Sequence, residues 1–177
     1  MFRHALVDTW GSTESERAER YPCDDLIDGP RHELFRAVDV DAPADLVFRW
    51  VCQLRVAPYS YDVLDNLGRR SPRELTPGLD DLAVGQRVMT IFRLAAFAPG
   101  RSITVDANTA LFGYVAVTYR VVPVDATRSR LVAKLAVAPR RGCLAWIMNR
   151  LLPTGDLVMM RKQLLTLKRL AERDAAR

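Results

Sequence analysis

The stretch LVMMRKQLLTLKRLAERDA, residues 157–175, is the one from which the architecture can be read. Leu157, Met160, Leu164, Leu167 and Ala171 recur at helical spacing and form one apolar stripe. Arg161, Lys162, Lys168, Arg169, Glu172 and Arg173 occupy the other side. A helix this one-sided needs something large to lie on. Just upstream, RGCLAWIMNRLL at 141–152 reads as a further helical piece. Pro153 with Gly155 reads as a kink or break, and Asp156 as the cap of the terminal helix.

The large surface is supplied by the middle of the chain. GYVAVTYRVVPVD (113–125) and LVAKLAVA (131–138) are rich in β-branched residues and read as strands, joined by the polar hairpin connection DATRSR. RSITVDA (101–107) and the apolar RVMTIFRL (87–94) read as two more, separated by the breaker APG at 98–100. In ELFRAVDVDAP (33–43), Leu34, Val38 and Val40 share one face, Arg36 breaks that set, and Asp39 and Asp41 take the other. That is a half-buried strand. Pro43 suits the first turn of a helix, ADLVFRWVCQL, in which Leu46, Val47, Trp50, Val51 and Leu54 recur at helical spacing. SYDVLDNLG (60–68) reads as a short helix closed by Gly68. Residues 1–31 are irregular apart from one short helix in TWGSTESERAERYPCDDL, capped by Ser12 or Thr13, with Glu16 as the capping-box partner and Pro22 stopping it. The order is strand, helix pair, several antiparallel strands, long terminal helix. Strand and helix do not alternate, so the fold class is α+β with an antiparallel sheet. If that sheet curves around the terminal helix, a cavity opens between them.

Composition limits the function classes. The 177 residues fit one domain with a real core; 49 % are apolar and 27 % charged. The +5 charge comes from 26 Lys plus Arg against 21 Asp plus Glu, with the arginines spread along the chain. Because like charges form no long run, nucleic acid is not an expected partner. Cys23, Cys52 and Cys143 lie far apart and read as free thiols, Cys52 and Cys143 as small buried hydrophobes. MFRHALVDTW lacks the apolar core of an export signal, which with the thiols leads us to expect a cytoplasmic location. CLAWIMNRLLP is interrupted by Asn149 and Arg150, so no stable membrane insertion is expected. His4 and His32 both precede the first clear strand and support neither a metal site nor a Ser–His–Asp arrangement. No phosphate loop is present, and no cofactor is expected.

Four strings carry a resemblance to a known superfamily: TWGST at 9–13 with Asp24–Asp25; RAVDVDAPADLVFRWVCQL at 36–54; YSYDVLDNLGRRSPRELTPGLDDLAVGQ at 59–86, the most specific; and GDLVMMRKQLLTLKRLAE at 155–172. Together they resemble the SRPBCC, or START-like, superfamily of helix-grip proteins. This superfamily is also described as Bet v 1-like and includes polyketide cyclases and dehydratases. More narrowly, the chain is similar to a bacterial branch of it. In that branch a glycine-rich turn with an aromatic stands where this chain has Arg55-Val56-Ala57-Pro58, and tryptophan is common at Val63. Those departures alter a cavity wall, so ligand identity does not transfer. The resemblance implies one domain over 1–177, an irregular lead over 1–31 and a helix-grip core over 32–177. It also implies a curved sheet around the terminal helix and an internal cavity for a lipid, polyketide or similar small hydrophobic molecule.

Candidate site residues come from both readings. Tyr59, Tyr61, Asp62 and Asn66 are short-range turn and packing residues or, on the resemblance, polar groups at the cavity mouth. Trp50, Met89, Phe92, Tyr114, Tyr119, Met148, Met159 and Met160 are core residues or cavity lining. Asp62 with a tyrosine is the best acid–base candidate should the cavity be catalytic. The basic side of the terminal helix is a third option, a contact for a partner or a membrane surface.

Overall fold

The computed structural model describes residues 7–61, 68–109, 113–138 and 143–177, with side chains for all of these except 143–152. Its centre is a six-stranded curved antiparallel sheet in the order β1-β6-β5-β4-β3-β2. The strands are β1 His32–Val40, β2 Arg87–Val88, β3 Phe92–Ala98, β4 Ser102–Thr109, β5 Gly113–Pro123 and β6 Ser129–Val137. Strand β1, read from its broken alternation, pairs with β6 from His32↔Val137 to Val40↔Ser129. A register shift between Leu94 and Ala96 on β3 marks a bulge, which bends the sheet edge. The stretch 87–94 is not one strand. It divides into β2 and β3 at Met89, whose φ is 52° and whose N–H leaves the ladder to donate to the Leu54 carbonyl at 2.7 Å.

Helix α1 is Glu14–Ala18, α2 is Ala44–Cys52 and α3 is Cys143–Ala175. Thr13 caps α1 and Glu16 closes the capping box. Of the kink or break expected at Pro153, a break does not occur: α3 is continuous, with Pro153 inside it. A proline in mid-helix lacks its own N–H bond and crowds the carbonyl four residues back, and the Arg36 guanidinium ties this turn to β1 through the Pro153 carbonyl.

Side-chain parity divides the sheet into two faces. The inner face carries Leu34 and Val38 from β1, Leu131 and Leu135 from β6, Val117 and Tyr119 from β5, and Ile103 and Val105 from β4. On it lie α2 and the buried stripe of α3, where Met160, Leu164, Leu167, Leu170 and Ala171 are sequestered. The far end of α3 is bolted down by polar bonds: Trp50 Nε1 donates to Asp174 at 3.1 Å, the Asp41 N–H to Glu172 at 3.0 Å, and Lys168 Nζ to the Asp39 carbonyl at 2.7 Å.

The outer face is covered by the lead, which is more ordered than its sequence suggests. A 3-10 turn at Pro22–Leu26 follows α1, and Tyr21, Cys23 and Ile27 pack on Phe35, Ala37, Ala116, Val132 and Ala136. Gly11 has φ 74°, and a Cβ there would stand 2.1 Å from the Ala37 carbonyl oxygen, so only glycine permits this strap to lie on β1.

Candidate functional site

The interior contains a charge that alternation alone would exclude. Arg36 points to the inner face, fully buried. Its Nη2 donates to Asp156 Oδ2 at 2.8 Å and to the Pro153 carbonyl at 3.3 Å, and Nη1 donates to the Phe35 carbonyl at 2.8 Å. Nε is buried and has no hydrogen-bond partner among the described residues. An unmet buried donor of this kind costs about 1–3 kcal/mol. The ion pair joins β1 to α3 at its proline, across 120 residues of sequence. Burial pushes the Asp156 carboxyl up to about 6, with the Arg36 guanidinium pulling the other way. Burial likewise draws Arg36 down from its usual value, against the charge of Asp156 and, more weakly, that of Asp8.

Further along α3, Gln163 is the second polar group in the grip. Its Oε1 accepts from the Tyr119 hydroxyl at 2.8 Å, and its Nε2 donates to the Pro58 carbonyl at 2.6 Å and faces Met89 Sδ at 3.7 Å. Met160 Sδ lies 3.6 Å from the same Tyr119 hydroxyl. Burial pushes the Tyr119 phenol well above its usual value, the charge of Asp156 adding to the effect. Two non-glycine residues with left-handed backbone flank this network, Tyr59 at φ 55° and Met89 at φ 52°. Such a conformation costs on the order of 1–2 kcal/mol per residue and persists only where the surroundings enforce it.

The anticipated residues divide accordingly. Met89, Tyr119 and Met160 come together around Gln163; Tyr59 follows the Pro58 carbonyl that Gln163 binds, and Trp50 meets Tyr59 edge-on with ring centroids 6.1 Å apart. Phe92 is half-buried against the same core. Tyr114 is elsewhere: it lies on the outer face and donates to Asp106 at 2.7 Å. Tyr114 and Tyr119 are five residues apart on one strand, so they point to opposite sides. Tyr61 and Met159 are exposed, at 40 % and 37 %. Met159 is a third of a turn from Met160 and so leaves the buried stripe. Asp62 and Asn66 lie outside the described residues, as does the side chain of Met148.

Sequence reasoning passed over Arg36, Asp156 and Gln163 as site residues. Arg36 did leave a signal, a charge at an inner-face position. Asp156 read as a cap, and Gln163 stands three residues after Met160 and four before Leu167, inside the apolar stripe. Among the described residues no group of three or more His, Cys, Asp or Glu is arranged to hold a metal. No described helix is long and apolar enough to cross a membrane.

No family model matches this chain, and no curated protein matches it in sequence. Solved structures do match in shape. The Zhui aromatase/cyclase from Streptomyces sp. R1128 is 20 % identical, with 81 % of this chain and 95 % of that one covered at a TM-score of 0.56. A Thermobifida fusca protein is 16 % identical over 80 % of this chain and 93 % of its own, at 0.57. The Polyketide_cyc-like protein Cgl2372 from Corynebacterium glutamicum is 15 % identical over 82 % and 94 %, at 0.50. A curved antiparallel sheet closed on a long terminal helix is shared with these structures, so this chain has the helix-grip α+β fold.

Proposed function

We propose that the chain acts as one helix-grip unit holding a small hydrophobic molecule between the inner face of the sheet and α3. The observation that carries this is the buried Arg36, the one charged side chain wholly buried against the mainly apolar inner face among the described residues, with a spare donor. A structural core gains nothing from an unsatisfied guanidinium, whereas an apolar binding site uses one or two polar groups to orient its ligand. Backbone strain at Tyr59 and Met89 supports the same region. Apolar burial supplies the affinity, roughly 25 cal/mol per Å² removed from water. Buried free thiols at Cys23 and Cys52 fit a reducing compartment, and we assign the protein to the cytoplasm. Neither nucleic acid nor membrane insertion enters this reading. Native mass spectrometry of protein purified from its own host tests it. A co-purifying apolar molecule is the expected result; an empty protein that also ignores apolar fluorescent probes overturns it.

A second reading, a cyclase or dehydratase acting on the held molecule, is favoured by Asp156. A carboxyl raised to about 6 beside a guanidinium exchanges a proton near neutrality, as a general acid or base must. Under this reading Asp156→Asn abolishes turnover while probe binding survives. Asp62→Asn with Tyr61→Phe tests the other acid–base candidate in the same assay.

A further inference from the structure

The charge on the inner face is balanced by a single pair. Among the described residues, Arg36 is the one cation whose side chain is wholly buried against that face, and Asp156 is its one carboxylate. The Asp156 side chain keeps 15 % exposure and that of Arg36 none, so the anion stands on the outward side of the pair. An ionised ligand drawn into this interior meets a cation already neutralised. It adds an uncompensated negative charge where the dielectric is low, beside the carboxylate. An uncharged ligand meets no such penalty. Its oxygen also supplies the acceptor that Arg36 Nε lacks among the described residues.

We infer that Asp156 is the residue that sets ligand charge: with Arg36 it makes the grip selective for uncharged apolar molecules carrying an acceptor oxygen, and against anionic amphiphiles of the same length. This rests on the ligand-binding reading above. Asp156 acts here as a positioning and specificity group, holding the guanidinium with one nitrogen free. Removing its charge while keeping its oxygen leaves Arg36 in place but uncompensated, and the preference turns toward anions. Protonation does the same, and Asp156 protonates at about 6. The groups whose charges reach the pair are Asp8, which acts on Arg36, and Tyr119, on which Asp156 acts. His32 is paired with Asp8 at 3.4 Å.

The test uses the full chain and two fluorescent probes of equal chain length, an alkyl sulfonate, ionised at every pH used, and a methyl ester. At pH 8 the native chain should bind the ester about tenfold more tightly than the sulfonate. In Asp156→Asn, the ratio of sulfonate to ester affinity should rise about tenfold. Lowering the pH to 5 should reproduce the sulfonate gain in the native chain and leave Asp156→Asn unmoved. The pH arm stands even if the variant fails to fold. Equal binding of both probes by the native chain overturns the inference. So does an unchanged ratio in the variant, or a pH effect that persists there. Binding of neither probe, nor of an uncharged hydrocarbon dye, removes the ligand-binding reading itself.

Discussion

Two buried cations stand one residue apart on paired strands, on opposite faces of the sheet. Lys134 pairs across the ladder with Phe35 and points outward; Arg36 is next along β1 and points inward. The outer cation is enclosed by two carboxylates and two rings. Lys134 Nζ lies 2.7 Å from Asp24 and 3.2 Å from Glu33, and sits over the rings of Tyr21 and Phe35 at 5.6 and 5.2 Å. Its partners come from the lead strap and from β1 itself. The inner cation has one carboxylate, two carbonyls and a donor left over. The difference separates a clamp from a site. Around Lys134 two carboxylates and two rings close on the cation, although Asp24 Oδ1 makes no hydrogen bond among the described residues; around Arg36 the open group is the cation's own Nε, which a further partner completes.

That contrast can be broken from either side. The largest effect is expected from Lys134→Met. It takes the nearest cation from Asp24, only 7 % exposed, leaving Arg31 at 3.3 Å as its remaining partner, and should cost about 3–4 kcal/mol in urea unfolding at pH 7. Arg36→Met should cost less, about 2–3 kcal/mol, because Asp156 left alone takes up a proton. Its cost should also shrink at pH 5, and a penalty equal to that of Lys134→Met at both pH values would refute the distinction.

A comparison of the native chain with Asp156→Asn over pH sharpens the picture further. Asp156 is raised to about 6 in the fold from an ordinary value of 3.8, so over that range the native state holds a proton the unfolded chain has lost. Its contribution is fully present at low pH and is lost as pH rises through 6. The stability gap should therefore move in favour of the native chain by about 2 kcal/mol on going from pH 7.5 to pH 4.5. A flat gap would mean that Asp156 is ionised throughout. The smallest effect is expected from Thr13→Ala, which removes the cap of α1 on the outer strap and should cost about 1 kcal/mol by thermal unfolding. Apolar probe affinity should not change, since α1 lies on the other side of the sheet from the grip.

Much of this fold was legible in the sequence, and for local reasons. Alternation placed Leu34, Val38 and Val40 on one side of β1, and the 3.6 period placed Met160, Leu164 and Leu167 on the buried side of α3. The cap at Thr13 needs only residues within three positions of it. The same strand period would have separated Tyr114 from Tyr119, had it been applied there. The division at Met89 left no pattern, because a left-handed non-glycine residue is imposed by its surroundings.

By itself, then, the sequence determined which residues face inward, where most of the elements begin and end, and that an antiparallel sheet must cover a long one-sided helix. It even exposed Arg36 as the charge out of place. Only the tertiary structure decided what that charge meets. Periodicity assigns a side chain to a face, but a partner 120 residues away is chosen by how strand and helix close on each other. The pairing of Arg36 with Asp156, and of Tyr119 with Gln163, exists only once the sheet has curved and α3 has docked against it.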